Sequence, residues 1–442
     1  MTATALITVS GRFEEALALL EGAPERLPAA ARRLRQARAR ILVGLERPRD
    51  ALAELALITD TGTPAEQAEL AVNSVVPYLA LGRSEEALEA TERVLASGDL
   101  DEAVVPGRVA ALMRSVVLAQ ACRLEEARAA AADALAEAIM VDDALRARQA
   151  EFTLAAVHIS MGRLETAARW AKDAIAGARA RGPAGYEPLG RALLARVRAQ
   201  QGQRAEARAT LAPVPERLID DDSLVLLAWA WVEASEGGAA AARQRIAERT
   251  RLRVASGDLD FASVLALDLA RLGDPATAAE LLAGMAEEST APVIALRART
   301  ARAMADDDTE QLAAAGEAWE RHGYLLHAAE TLALAAEAAR REGRAREAAQ
   351  LAGRARTLAE RTEGASTGPL AVGEQVEPLT PREREIASLA ARGLASNEIA
   401  ARLFLSPRTV SNHLQSAYAK LGVRRRTELA TALGIVPIEQ SA

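Results

Sequence analysis

Between Arg408 and Arg426 the chain gathers side chains suited to one kind of chemistry. Arg408, Thr409, Ser411, Asn412, Gln415 and Ser416 are polar groups that can donate and accept hydrogen bonds. Such groups read base edges and hold phosphates in nucleic-acid grooves. Lys420, Arg424, Arg425 and Arg426 follow, a cationic run suited to phosphate neutralisation. A solvated surface is the plainer reading of the three arginines, but Lys420 beside them favours phosphate contact. No other stretch offers comparable chemistry. His322 and His327 are five residues apart, poor spacing for one helix face, and His158 is remote from both. The lone cysteine, Cys122, excludes an intramolecular disulfide framework and a Cys-rich metal site. A phosphate-binding P-loop needs Gly-Lys ahead of Ser or Thr; the two lysines, Lys172 and Lys420, both follow Ala. No metal, no cofactor and no enzymatic activity are expected.

Four short helices must position that cluster. Thr380-Pro-Arg-Glu383 is a capping box with Pro at the first helical position. The helix it starts carries Ile386, Leu389 and Ala390 inward and stops at Gly393. A second helix runs from about Ser396 to Leu403, with Ile399, Ala400 and Leu403 on one face. Phe404-Leu405 make the turn, Ser406 caps a third helix and Pro407 starts it. Its stripe of Val410, Leu414, Ala417 and Leu421 faces a core. Gly422 ends it, and a last helix spans about Thr427 to Leu433. A short helix, a tight turn and a longer capped helix with a polar outer face describe a helix-turn-helix.

The residues Leu379-Thr-Pro-Arg-Glu-Arg-Glu-Ile386, Asn397-Glu-Ile-Ala400, Leu405-Ser-Pro-Arg-Thr-Val410, His413-Leu414 and Tyr418-Ala-Lys-Leu-Gly-Val423 closely resemble the LuxR-type DNA-binding domain. The resemblance implies a transcriptional regulator that places its third helix in the major groove of double-stranded DNA and dimerises through its fourth. By position, Thr409, Val410, Asn412 and Gln415 would approach bases, and Ser396, Asn397, Arg408 and Lys420 would touch phosphates. His413 either packs at the helix interface or contacts the DNA backbone. Arg424 and Arg426 would add phosphate contacts. Two positions depart from the family. Ser411 stands where a DNA-contacting Lys is usual, which should weaken affinity or shift base preference. Ala395 stands where a Ser or Thr cap is usual, a loss of about 1 kcal/mol unless Ser396 takes over one residue later.

The rest of the chain has a different character. Of 442 residues, 50% are hydrophobic but only 3% aromatic, so Ala and Leu fill the difference and favour helices. The net charge of −7 divides into +4 from Thr380 onward and −11 before it. A basic module on an acidic body follows. The longest apolar run near the middle, Leu224 to Val232, is far short of a membrane span. The N-terminus lacks a signal-peptide pattern, so the expected setting is the cytosol without membrane attachment. One phrase recurs through the body, Gly-Arg-x-Glu-Glu-Ala, at Gly11 and Gly82, with looser copies at Glu46, Cys122, Gly162, Gly202, Gly273 and Gly343. The intervals from 82 to 202 are 40 each, and 273 to 343 covers two units of 35. At Gly82 the glycine permits a backbone reversal, small residues such as Ala87 let the paired helices approach, and the Ser84 hydroxyl can cap the second helix.

Phrase and period resemble tetratricopeptide repeats. The expected fold is therefore all-α: a tetratricopeptide-like α-solenoid over 1–361, a flexible linker over 362–378 and the four-helix module over 379–442. The body's charges are either solvated outer faces or a concave groove for a protein or small-molecule effector. Trp170, Trp229, Trp231 and Trp319 are core fillers in preference to groove residues. Repeats followed by this module resemble the large ATP-binding LuxR-type regulators without their NTPase part. The leading expectation is a DNA-binding regulator, homodimeric on DNA, with a sensing or docking array; the alternative is an interaction scaffold whose helix-turn-helix is vestigial.

Overall fold

The computed structural model describes residues 13–60, 62–96, 104–181, 186–373 and 379–421, with Val423, Arg425, Arg426, Leu429 and Leu433. Every regular element among them is helical. The architecture is all-α, a tetratricopeptide-like α-solenoid followed by a helix-turn-helix module. The chain forms two compact units, Met1–Ala305 and Asp306–Ala442.

The first unit stacks helical hairpins. Helices α1 (Ala31–Gly44), α2 (Pro64–Ala80) and α3 (Val104–Gln120) are followed by Pro48–Ala56, Ser84–Ala96 and Leu124–Met140. Four further hairpins run from Ala144 to Glu288. The recurring phrase supplies each turn. Gly82 takes φ 65°, its N–H reaches Leu79 O at 2.9 Å, and the next N–H reaches Tyr78 O at 2.8 Å. That pair of bonds is a Schellman cap, which needs a left-handed residue. Gly162, Gly202, Gly273 and Gly343 repeat it. Cys122 and Glu46 adopt the same conformation without being glycine, both at φ 59°, and carry its steric cost. Further turns that the phrase does not reveal lie at Asp142, Gly237, Gly257, Asp307 and Gly323, all at positive φ. Asp307 divides the long interval from 273 to 343 into two units.

The other letters of the phrase have equally local jobs. The alanine is fully buried at Ala87, Ala127, Ala167 and Ala207, where helix meets helix. The arginine pairs with the second glutamate three residues on, as in Arg83–Glu86 at 2.6 Å and Arg344–Glu347 at 2.7 Å. Ser84 does not cap: it is the buried first residue of its helix. Aspartates cap instead, with Asp143, Asp258 and Asp274 accepting from the backbone N–H three residues on, and Asp222 and Asp308 from those two and three on. Much of the body's acidity is thus helix capping and ion pairing. The first unit also curls back on itself. Gly82 O accepts from Thr290 N and Ala291 N, both at 3.0 Å, and Arg49 pairs with Glu288 at 2.6 Å.

Tryptophans fill the gaps that alanine-rich helices leave. Trp231 and Trp319 are buried. Trp170 and Trp229 are partly buried against core clusters, Trp229 beneath Arg245. Trp231 Nε1 donates to Asp268, which also accepts from Arg196 at 2.6 Å and Arg271 at 2.5 Å.

The second unit contains Thr309–Arg321, α4 (Leu325–Arg341), α5 (Ala345–Ala359) and α6 (Gly368–Gly373). The expected flexible joint over 362–378 is ordered in its first part. Thr362, Thr367 and Leu370 are buried, and α6 packs on α4. Leu370 supplies an apolar anchor, and Pro369 falls in the first turn, where proline is tolerated. Residues 374–378 lie outside the described residues. The unit ends with α7 (Pro381–Ala391), α8 (Ser396–Leu403) and α9 (Pro407–Leu421).

Candidate nucleic-acid interface

One small core holds α7, α8 and α9 together. Ile386, Ala387, Ala390, Ile399, Val410 and Ala417 are among its buried members, and Leu429 joins them from the segment after α9. Leu433 packs at its edge; most of the expected fourth helix, 427–433, lies outside the described residues. The start of α7 is the expected capping box: Glu383 N donates to Thr380 Oγ1 at 3.2 Å and Thr380 N to Glu383 Oε2 at 2.8 Å. Gly393, at φ 93°, closes α7. At α8, Ala395 occupies the cap position, so Ser396 does not take over. Half of a capping box survives, because Ala395 N donates to Glu398 Oε2 at 2.6 Å. Phe404 makes the turn in the left-handed region, at φ 57°, with its ring 95% exposed. Ser406 then caps α9 by accepting from Thr409 N at 3.0 Å, and the two hydroxyls share a bond of 2.7 Å.

Several of the cationic and hydroxyl groups turn inward. Glu383 is buried, and its carboxylate accepts from Ser416 Oγ at 2.5 Å and Lys420 Nζ at 2.9 Å. Burial pushes its pKa up, but the bonds from Ser416, Lys420 and Thr380 outweigh that and bring it to about 2. This carboxylate ties the first turn of α7 to the last turns of α9 and so fixes the inclination of α9. Lys420 was expected at a phosphate; in the structure its ammonium is held by Glu383 with the side chain 19% exposed. Arg426 was expected there too. Its guanidinium donates to Leu394 O, to Ala390 O at 3.4 Å and to Ser396 Oγ at 3.4 Å, which caps the end of α7. Ser396 is therefore engaged by Arg426. Arg382, unremarked in the sequence, donates to Leu403 O at 2.8 Å and closes α8. No local sequence signal marks these roles, because they depend on which carbonyls the fold brings near.

Val410 was expected near a base, and here the structure corrects the sequence reading. Val410 is fully buried between α7 and α8, because it lies on the same stripe as Leu414 and Ala417. A buried isopropyl group holds α9 in place and presents nothing to a groove. Arg408, Ser411, Asn412 and Gln415 remain, all exposed. Their spacing of three, one and three puts them on one helical face. Among the described residues none of these four side chains holds a hydrogen bond or ion pair. Asn397 is exposed and equally free; Thr409 and His413 are half-buried at the margins of the face. Helix α5 lies beside α9 without covering it. Arg425 is exposed, and Arg424 lies outside the described residues.

The pattern of the family described as bacterial regulatory proteins, luxR family, matches residues 377–433. A putative HTH-type transcriptional regulator of Mycobacterium bovis is 53% identical over 51 residues, 12% of this chain and 6% of that protein. The transcriptional regulatory protein UhpA of Salmonella typhimurium is 52% identical over 61 residues, 14% of this chain and 31% of its own length. The spore germination protein GerE of Bacillus subtilis is 44% identical over 55 residues, 12% of this chain and 74% of that protein. The shared region is thus the helix-turn-helix module, and this chain spans only a small part of the larger relatives.

Proposed function

Because the chain belongs to the luxR family of bacterial regulatory proteins, we propose that it regulates transcription by binding double-stranded DNA, with α9 in the major groove. The observation that carries this reading is the row Arg408, Ser411, Asn412 and Gln415, four exposed polar groups unpaired among the described residues, on one face of a rigidly held, capped helix. Asn and Gln suit bidentate bonds to adenine, and Arg suits guanine or phosphate. Asn397, at the start of α8, is free for a phosphate, as is Arg408. Ser411 offers a hydroxyl where the family usually has a lysine, so one charged contact is replaced by a shorter neutral one. Lys420 and Arg426 act as positioning groups that hold α9 and the α7–α8 corner. His413 packs at the helix margin.

The repeat array takes a protein or small-molecule effector, and a homodimer forms on DNA in the cytoplasm. Neither the repeats nor the module performs catalysis. The scaffold alternative requires a decayed module; the intact capping box at Thr380, the Ser406 cap and the Glu383 network speak against decay. The test is selection of bound sequences from a genomic DNA pool by the full chain. A shared motif should emerge, and Asn412→Ala should relax preference at one base by about 1–3 kcal/mol. Recovery of unrelated sequences would refute the reading.

A further inference from the structure

An open pocket of about 880 Å³ lies between α1, α2 and α3 in the repeat array. That is the size of a site for a small organic molecule. Its apolar floor comes from all three helices: Val43 of α1, Val72 and Val76 of α2, and Val109 of α3. Val76 leaves 37% of its surface uncovered, so an aliphatic group seated on it would remove apolar area from water.

Two arginines line the pocket above that floor. Arg33 is exposed and holds no ion pair among the described residues. Arg40, two turns further along α1, is loosely held: 3.7 Å from Glu69 and 3.5 Å from Asn73 Oδ1, with its side chain 51% exposed. Asn73 Nδ2 is closed off from the pocket, so this residue offers it only the oxygen that Arg40 approaches. Two exposed, under-engaged guanidinium groups on one wall describe a place for a carboxylate. Beside Arg40, Glu69 is partly exposed and only weakly engaged, an acceptor for an ammonium group. Glu66 is already committed to its capping box with Thr63, whose backbone N–H holds its carboxyl below the usual range.

We propose that this cavity binds a small zwitterion with an aliphatic body, an aliphatic amino acid or a short peptide of such residues. The carboxylate lies against Arg33 and Arg40, the ammonium faces Glu69, and the aliphatic part covers Val72 and Val76. Any effector role for such a ligand rests on the regulatory reading above; the binding site itself does not.

The test is titration calorimetry of the full chain with leucine and with leucyl-leucine, beside leucinamide and leucyl-leucinamide, whose carboxylates are blocked. At least one acid should saturate the protein and its amide should bind more than tenfold more weakly, since each tenfold corresponds to about 1.4 kcal/mol. Leucine alone binding identifies the free amino acid; leucyl-leucine alone identifies the peptide. Arg33→Gln and Arg40→Gln should each weaken binding about tenfold. Val76→Arg, at an exposed position that tolerates bulk, should block the site while leaving the helical circular dichroism intact. No saturation by either acid up to about 10 mM, or equal binding of acid and amide, overturns the site. Saturable binding with unchanged affinity for DNA keeps the site and overturns its role as the effector site of the regulator.

Discussion

The repeat array and the helix-turn-helix module are built from the same parts and use their charges differently. Both reverse direction at left-handed residues, Gly82 in one and Gly393 in the other. Both bury alanines where helices cross, Ala127 in one and Ala387 in the other. In the array the recurring arginine is neutralised by its own helix, as Arg83 is by Glu86. In the module Arg382, Lys420 and Arg426 are bound to the fold itself, while Arg408 holds no partner among the described residues. The local sign of charge is therefore a poor guide to where DNA binds. What distinguishes the module is a row of unsatisfied polar groups on one rigid face.

Breaking the Glu383 network should separate the two regions most sharply. Glu383→Ala strands the Lys420 ammonium and should destabilise the module by about 3 kcal/mol. Hydrogen exchange should then rise in α7–α9 and stay unchanged in the hairpins of the first unit. The pH dependence follows from the depressed pKa, about 2 against an ordinary 4.5. The stabilisation is complete above pH 4.5 and is lost as pH falls through about 2.

The reverse experiment strikes the array. Ala127→Leu forces three extra carbons into a fully buried helix crossing and should cost about 2 kcal/mol. Calorimetric melting should report the loss, and DNA affinity at 25 °C should be unchanged. A smaller effect concerns Glu151, whose carboxyl is raised to about 7 by burial, against the pull of Arg148 and with a push from Asp173. The folded chain holds this proton after the unfolded chain has released it. Stability therefore falls as pH rises from about 4.5 to 7. Relative to Glu151→Gln, the wild type should lose about 1 kcal/mol across that range. The smallest effect is a gain: Phe404→Gly relieves a left-handed, exposed residue and should stabilise the module by about 0.5–1 kcal/mol.

Much of this was legible in the sequence where a residue has one local job. Gly82 and its repeats marked the turns because few residues accept positive φ. Thr380-Pro381 and Ser406-Pro407 marked two helix starts because capping is set within four residues. The turns at Gly237 and Asp307 were hidden because the other letters of the phrase are missing there. Helix α6 was hidden because its glycines and proline resemble a linker, and only burial of Leu370 on α4 orders it. The directions of Lys420 and Arg426 were unreadable for a different reason. A long cationic side chain goes to whichever acceptor the fold supplies, and Glu383 and Leu394 O are 37 and 32 residues away. Val410 could be assigned to the core stripe or to the DNA face from its position alone, and packing decided for the core.

The salt dependence of DNA binding tests the central claim most directly. The quantity to measure is the slope of log affinity against log salt for the full chain, for Arg408→Ala and for Lys420→Met. An outward α9 face with an inward Lys420 predicts a steep slope for the wild type. Arg408→Ala should reduce it by about 0.9, the value for one phosphate contact, and Lys420→Met should leave it unchanged. A slope unaltered by Arg408→Ala but reduced by Lys420→Met would contradict the account.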